Sequence, residues 1–149
     1  MKLIVQRVSR ASVEVCGAVV GEIGAGLLAL VGCRFDDTEK DAAHLAAKMS
    51  ALRIFQDPDG KMNLSVKDVD GEILLVSEFT LCGDVRKGKR PNFGASMGFT
   101  EAEKMYDYVA DEIRKLGFVV QTGVFGAMMK VDISNDGPVT ILLDSRKMF

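Results

Sequence analysis

Asn135-Asp136-Gly137-Pro138-Val139-Thr140 joins two runs of strand character, residues 127–134 and 139–144. Asn, Asp, Gly and Pro are ordinary turn residues, so the plain reading is a hairpin turn. The pair at its centre admits a second reading. Pro138 has no backbone N–H and a fixed φ, and an X-Pro bond is the only peptide bond with a realistic cis population. Gly137 has no side chain, so another molecule can approach its backbone closely. The alternative to a plain turn is a stiff backbone finger with bare carbonyls, its Gly137–Pro138 bond cis.

The chain before this stretch is rich in strands. Residues 2–8 form a β-branched run, 12–15 alternate, Cys16-Gly17 turns, and 19–23 return, which is a hairpin pattern. Residues 27–32 are continuously apolar, as in a strand buried on both faces. A first helix is capped by Asp37 or Thr38, with Asp41 in capping-box position and Leu45, Met49 and Leu52 as its buried stripe. Residues 53–56 make a short strand, Asp57-Pro58-Asp59-Gly60 a β-turn, and 72–81 a central strand. Residues 84–98 have no period and hold Gly88, Pro91, Gly94 and Gly98, which predicts a long exposed loop. Thr100 to Glu103 read as a capping box, followed by the stripe Met105, Val109, Ile113 and Leu116 and a stop at Gly117. Residues 118–121 supply one more strand before the final pair. The fold class predicted is α+β: a single domain over residues 1–149, a mostly antiparallel β-sheet or barrel-like core with two main helices.

The 149 residues carry 19 Lys and Arg against 21 Asp and Glu, a net charge of −2, which excludes a generally basic nucleic-acid coat protein but leaves room for a local basic patch. The 3 cysteines, Cys16, Cys33 and Cys82, have no CxxC spacing, so no disulfide framework or zinc site is expected and the chain reads as cytosolic. Arg7 comes too early for a signal-peptide core, and no apolar run approaches a membrane span.

Familiar catalytic machinery is largely missing. The one histidine, His44, falls on the polar face of the first helix. No metal-ligand spacing, P-loop or dinucleotide fingerprint is present, so neither metal nor cofactor is expected. Three features remain. Ser77-Glu78-Phe79-Thr80 closes the central strand, where alternation places Ser77 and Phe79 on one face and Glu78 and Thr80 on the other. Arg86-Lys87-Gly88-Lys89-Arg90 is either a solvated loop or a phosphate contact. Thr122-Gly123-Val124-Phe125-Gly126-Ala127-Met128-Met129 sets two glycines around an aromatic, as suits a wall that a ring or backbone approaches closely.

Ser77-Glu78-Phe79-Thr80-Leu81 resembles the SQFTL motif of the D-aminoacyl-tRNA deacylases, and Asn135-Asp136-Gly137-Pro138-Val139-Thr140 resembles their NxGPxT, or Gly-cisPro, motif. The resemblance runs from Met1 to about Ser145. It takes in Gln6-Arg7-Val8-Ser9, Gly21-Glu22-Ile23-Gly24, Leu52-Arg53-Ile54-Phe55, Gly60-Lys61-Met62-Asn63, Lys87-Gly88 with Arg90-Pro91, and Thr122-Gly123 with Phe125-Gly126. The departure is Glu78, where the family motif has Gln, which adds a negative charge beside a pocket for an RNA end.

The resemblance implies a cytoplasmic homodimer that hydrolyses the ester between a D-amino acid and the terminal adenosine of tRNA, and that removes glycine from alanine tRNA. It implies that the backbone carbonyls of Gly137 and Pro138, flanked by Asn135 and Thr140, hold the substrate amino group in the partner's pocket and collide with an L side chain. It also implies catalysis assisted by the ribose 2′-hydroxyl, which suits a chain with no credible general base. Ser77 and Phe79 are assigned to the pocket wall beside Thr80, an orienting group ranked above a nucleophile because no base is visible near it. Glu78, Phe125 and Met129 are expected in the pocket, and Arg7, Arg86, Lys87, Lys89 and Arg90 at phosphates. The expected partners are tRNA and a second copy of the chain, with no DNA and no membrane. A non-catalytic RNA-end binding module and an ordinary serine or threonine esterase are the rival functions.

Overall fold

The computed structural model describes residues 1–148. Its organising element is β1 (Lys2–Val15), which buries Leu3, Val5, Arg7, Val8, Ala11 and Val13. Cys16 and Gly17 have φ of 51° and 82°, the left-handed pair that a two-residue hairpin requires, and β2 (Ala18–Ile23) returns along β1. β3 (Gly26–Gly32) pairs with the first half of β1 and is buried almost throughout.

α1 (Glu39–Ser50) starts at Thr38, whose N–H and hydroxyl donate to Asp41 Oδ2 at 2.9 and 2.7 Å, forming the predicted capping box. Leu45 and Met49 are buried; Leu52 lies past the helix end and packs half-buried on the core. β4 (Phe55–Gln56) and β5 (Met62–Leu64) flank the Asp57–Gly60 turn, closed by Gly60 N–H on the Asp57 carbonyl at 2.9 Å.

β6 (Glu72–Ser77) runs parallel to β3 and is shorter than the predicted strand. Its last ladder pair is Val31 with Ser77, and β3 ends one residue later. With no partner to extend the ladder, residues Phe79–Cys82 close into a 3-10 helix. Gly32 makes room for it: a Cβ there would lie 2.8 Å from Leu81 Cβ.

α2 (Phe99–Lys115) begins at Gly98 rather than Thr100, so the Thr100–Glu103 capping box does not form. Gly98 already supplies the first carbonyl, which accepts from Ala102 N–H at 2.8 Å. The buried stripe is Tyr106, Val109, Ala110 and Ile113, with Met105 half-buried; Leu116, past the last full turn, is exposed. Gly117, at φ 92°, stops the helix, and β7 (Val120–Thr122) joins β6 in parallel.

The two final strands expected, residues 127–134 and 139–144, are one. β8 (Lys130–Asp144) is one strand, antiparallel to β1 from Glu14↔Lys130 to Lys2↔Asp144. The chain does not reverse at Gly137-Pro138; it bulges. Val8 pairs with Asn135 and Gln6 with Thr140, so Arg7 alone lies opposite Asp136, Gly137, Pro138 and Val139.

The six-stranded sheet runs β2-β1-β3-β6-β7, with β8 on the other side of β1. It curls into a nearly closed barrel. A Cβ on Gly21 of β2 would lie 2.6 Å from the Thr122 carbonyl oxygen of β7, an approach only glycine permits. Val8, Val13, Ile23, Leu28, Leu74 and Val76 fill one core cluster. The larger cluster lies between the sheet and the two helices.

Candidate active site

The end of β6, the 3-10 helix, the start of α2 and the segment before β8 surround a cavity of about 670 Å³. Ser77, Glu78, Phe79 and Thr80 line it together with Phe125 and Met129, so every residue expected in the pocket is on one wall system. The strand-to-helix switch changes their arrangement. Alternation no longer holds after Ser77, and Glu78 and Thr80 meet side by side, the Thr80 hydroxyl donating to the Glu78 carboxylate. Alternation already sets Glu78 and Thr80 on one face; the 3-10 turn brings them into hydrogen-bond contact.

Tyr106 and Cys33 also line the cavity, and neither carries a site signal in the sequence. Tyr106 is buried, its hydroxyl donating to the Leu75 carbonyl at 2.7 Å, and burial pushes its ionisation well above the ordinary phenol range. Cys33 is pushed up to about 12 by burial, so its thiol is neutral at physiological pH and is not a nucleophile. Phe125 meets Phe99 edge-on at 5.1 Å and Tyr106 at 5.8 Å. The glycines around Phe125 serve this internal packing. A Cβ on Gly126 would lie 2.6 Å from the Phe99 ring, and one on Gly123 2.6 Å from Met129 Sδ. Phe79, Phe99 and Met128 form an exposed apolar rim. His44 is exposed on α1 and takes no part.

The Gly137–Pro138 bond is cis, and both residues are exposed. The bulge is braced from both ends. Asn135 Oδ1 accepts from Val139 N–H at 2.8 Å, while its amide nitrogen donates to the Val139 carbonyl at 3.3 Å and to Thr140 Oγ1 at 3.2 Å. Gln6 donates to the same Thr140 hydroxyl at 3.1 Å. Asn135 and Thr140 thus spend their side chains on the finger itself. Arg7 was expected at a phosphate and is instead buried, because the bulge and the β4 end close over it. Its Nη1 donates to the Ile54 carbonyl at 2.6 Å and its Nε to the Asp136 carbonyl at 3.0 Å.

Register keeps finger and cavity apart within one chain. Arg7 pairs with Leu27, which pairs with Ile73 at the start of β6; Ser77 closes its far end. At about 3.3 Å per residue the two levels are roughly 13 Å apart along the strands. None of Asn135, Gly137, Pro138 or Thr140 lines the cavity.

A family model described as D-Tyr-tRNA(Tyr) deacylase matches residues 4–144. The chain belongs to this family. It is 55% identical over 149 residues to a D-aminoacyl-tRNA deacylase of Thermoanaerobacter pseudethanolicus and 56% identical over 149 residues to one of Koribacter versatilis, covering 100% of both chains in each case. Among solved structures, one described as a c-Myc DNA unwinding element binding protein superposes with a TM-score of 0.91 at 44% identity, over 97% of this chain and 98% of that one. A probable eukaryotic D-amino acid tRNA deacylase shares the fold, with a TM-score of 0.81 at 18% identity over 95% of this chain and 97% of that one.

The basic segment of this deacylase-family chain sits next to the cavity. Phe93 packs edge-on against Phe79 at 5.0 Å, and Ser96 and Met97, further along the same loop, line the cavity wall. Asp84 and Asn92 bridge across the loop, with Asp84 N–H on the Asn92 carbonyl at 2.8 Å. Arg86 forks onto Asp84 at 2.9 and 2.6 Å, which holds the Asp84 carboxyl well below the usual carboxylate range. Lys87, Lys89 and Arg90 are exposed, and among the described residues none of them forms an ion pair. Among the described residues no group of three His, Cys, Asp or Glu side chains is placed to hold a metal ion, and no helix is long and apolar enough to cross a membrane.

Proposed function

We propose that this chain hydrolyses the ester linking a D-amino acid to the terminal adenosine of tRNA, and that it clears glycine from alanine tRNA by the same route. The observation that carries the reading is the cavity itself. In a member of the deacylase family, about 670 Å³ of largely apolar space is bounded by Ser77, Phe79 and Thr80, and the loop that carries the exposed cations Lys87, Lys89 and Arg90 contributes Ser96 and Met97 to its wall. An aminoacyl group with its adenosine suits the apolar space, and the phosphates behind it suit the cations.

Chirality is judged by the finger. Gly137 and Pro138 offer backbone to the substrate, and the Asn135, Thr140, Gln6 and Arg7 bonds hold that backbone still. Backbone excludes an L side chain whatever its chemistry, while glycine passes. The finger reaches into the pocket of a second copy, so the working unit is a homodimer in the cytoplasm; the family resemblance supports this reading, as does a finger that does not line the cavity of its own chain.

Catalysis is substrate-assisted. The Thr80 hydroxyl donates to the Glu78 carboxylate, but a carboxylate is a weak base toward an aliphatic hydroxyl. The ribose 2′-hydroxyl beside the ester takes the activating role. The protein contributes position and the leading backbone N–H groups of the 3-10 turn, which have no acceptor within the helix. Deacylation of matched D-, L- and glycyl-tRNA is the test. Release of D-amino acid and glycine with L-aminoacyl-tRNA intact is expected; retention of all three without release assigns a binding module instead.

A further inference from the structure

Phe99 is the first residue of α2, and it is 63% exposed. A phenyl ring left so far in water forfeits the stabilisation that burial would give it. The ring is nevertheless held in place. It meets Phe125 edge-on at 5.1 Å with 74° between the planes. Gly126 leaves it room, since a Cβ there would lie 2.6 Å from the Phe99 ring. Phe99 also lines the cavity, so the ring stands at its mouth. Met128, another member of the rim, is 92% exposed. The loop bearing Lys87, Lys89 and Arg90 continues through Ser96 and Met97 in the cavity wall to Gly98, and Phe99 is the next residue. An RNA strand whose last nucleoside fills the cavity and whose phosphates reach those cations has to cross this rim.

We propose that Phe99 is a stacking platform for the nucleobase that precedes the terminal adenosine of tRNA. The inference rests on the deacylase reading above and adds to it a binding site outside the pocket. The last nucleotides of tRNA are unpaired, so their faces are free to stack on protein. An aromatic side chain receives such a face without reading its identity, because every base has a π-face. The contact covers apolar surface that Phe99 otherwise leaves in water. A ring already fixed by Phe125 loses little rotamer freedom when the base arrives. The stack also sets the direction in which the RNA leaves the cavity, which presents the ester in one orientation. RNA suits this rim better than a protein surface does, because the exposed cations on the same loop match its phosphates.

The test uses two D-aminoacyl minihelices with a full acceptor end, one intact and one abasic at the penultimate position. Wild-type chain should cleave the abasic substrate roughly five- to a hundredfold less efficiently in kcat/KM, the range of one base–aromatic stack. Phe99→Leu keeps apolar bulk but offers no ring face. It should lose a similar factor on the intact substrate and leave little difference between the two. Phe99→Tyr should restore the difference. A stack is uncharged, so Phe99→Leu should weaken binding without changing the log–log salt slope. Equal losses on both substrates in Phe99→Leu make the ring purely structural, which overturns the proposal and leaves the deacylase reading intact. A Phe99→Leu chain that sediments as a monomer where wild type is dimeric assigns the ring to a second copy and also overturns it. If Phe99→Leu fails to fold, the wild-type comparison decides: equal cleavage of intact and abasic substrates overturns the proposal. Wild-type chain that cleaves neither substrate overturns the deacylase reading and this proposal with it.

Discussion

Arg7 holds the Asp136 carbonyl at 3.0 Å through Nε while its Nη1 holds the Ile54 carbonyl at 2.6 Å, so one buried guanidinium ties the root of the finger to the residue just ahead of β4. A planar fork can serve two carbonyls at once; an ammonium on a flexible stem serves one well. Arg7→Lys is expected to cost about 2 kcal/mol, the worth of a hydrogen bond to a charged group. In a chain of this size that lowers Tm by roughly 6 °C. The D-over-L ratio should fall on the order of tenfold as the loosened finger yields to an L side chain. A ratio that holds while Tm drops would make Arg7 purely structural.

Thr80 separates protein-based from substrate-based activation. Thr80→Ala should retain substantial activity, losing about tenfold or less, since one hydrogen bond is worth roughly 1.4 kcal/mol at most in rate terms. A tRNA ending in 2′-deoxyadenosine and charged on its 3′ oxygen should bind yet remain almost uncleaved. A protein nucleophile inverts both results: a dead Thr80→Ala and a deoxy substrate cleaved at the normal rate. Single-turnover hydrolysis with binding measured separately checks the pair.

The basic loop has fewer free cations than its composition suggests, because Arg86 is held by Asp84. Three contacts from Lys87, Lys89 and Arg90 at about 0.7 each give a log–log salt slope near −2. Reversing Lys87 and Arg90 to Glu should flatten the slope by more than about one and weaken binding. Arg86→Gln should barely change either. Filter or fluorescence titrations of tRNA at several salt concentrations supply the slopes.

Asp41 links the first helix to pH. The Thr38 hydroxyl, first among its causes, lowers the Asp41 carboxyl to about 2. A depressed folded value means the unfolded chain binds the proton more readily. The stabilisation is therefore complete above the unfolded value of about 3.9 and lost as pH falls toward 2. Asp41→Asn is expected to lower stability by about 1 kcal/mol at pH 7, the usual worth of a cap. Thermal melts of the two proteins should differ by about 3 °C at pH 7 and converge near pH 2.

Much of this fold is written locally. The Cys16-Gly17 turn, the Thr38–Asp41 box, the Asp57–Gly60 turn and the continuous burial of β3 depend on φ preferences, side-chain reach and apolar period over a few residues. The four residues of the pocket motif and the two of the finger are equally visible in the chain, as is their resemblance to one family. Other features depend on partners distant in sequence. Asn-Asp-Gly-Pro suits a hairpin or a bulge; which one forms was decided by β1, which offers a ladder to both halves of β8 and leaves only Arg7 opposite four residues. Glu78 and Thr80 would have pointed the same way along any strand, and on opposite sides of Phe79. They became a hydrogen-bonded pair because β3 ends at Gly32 and leaves the ladder nothing to pair with beyond Ser77. Arg7 looks like any surface arginine in sequence; the closing of the bulge over it turned a candidate phosphate contact into a buried brace. Side-chain chemistry and local turns are properties of a segment, whereas register, strand ends and burial are properties of what the segment meets.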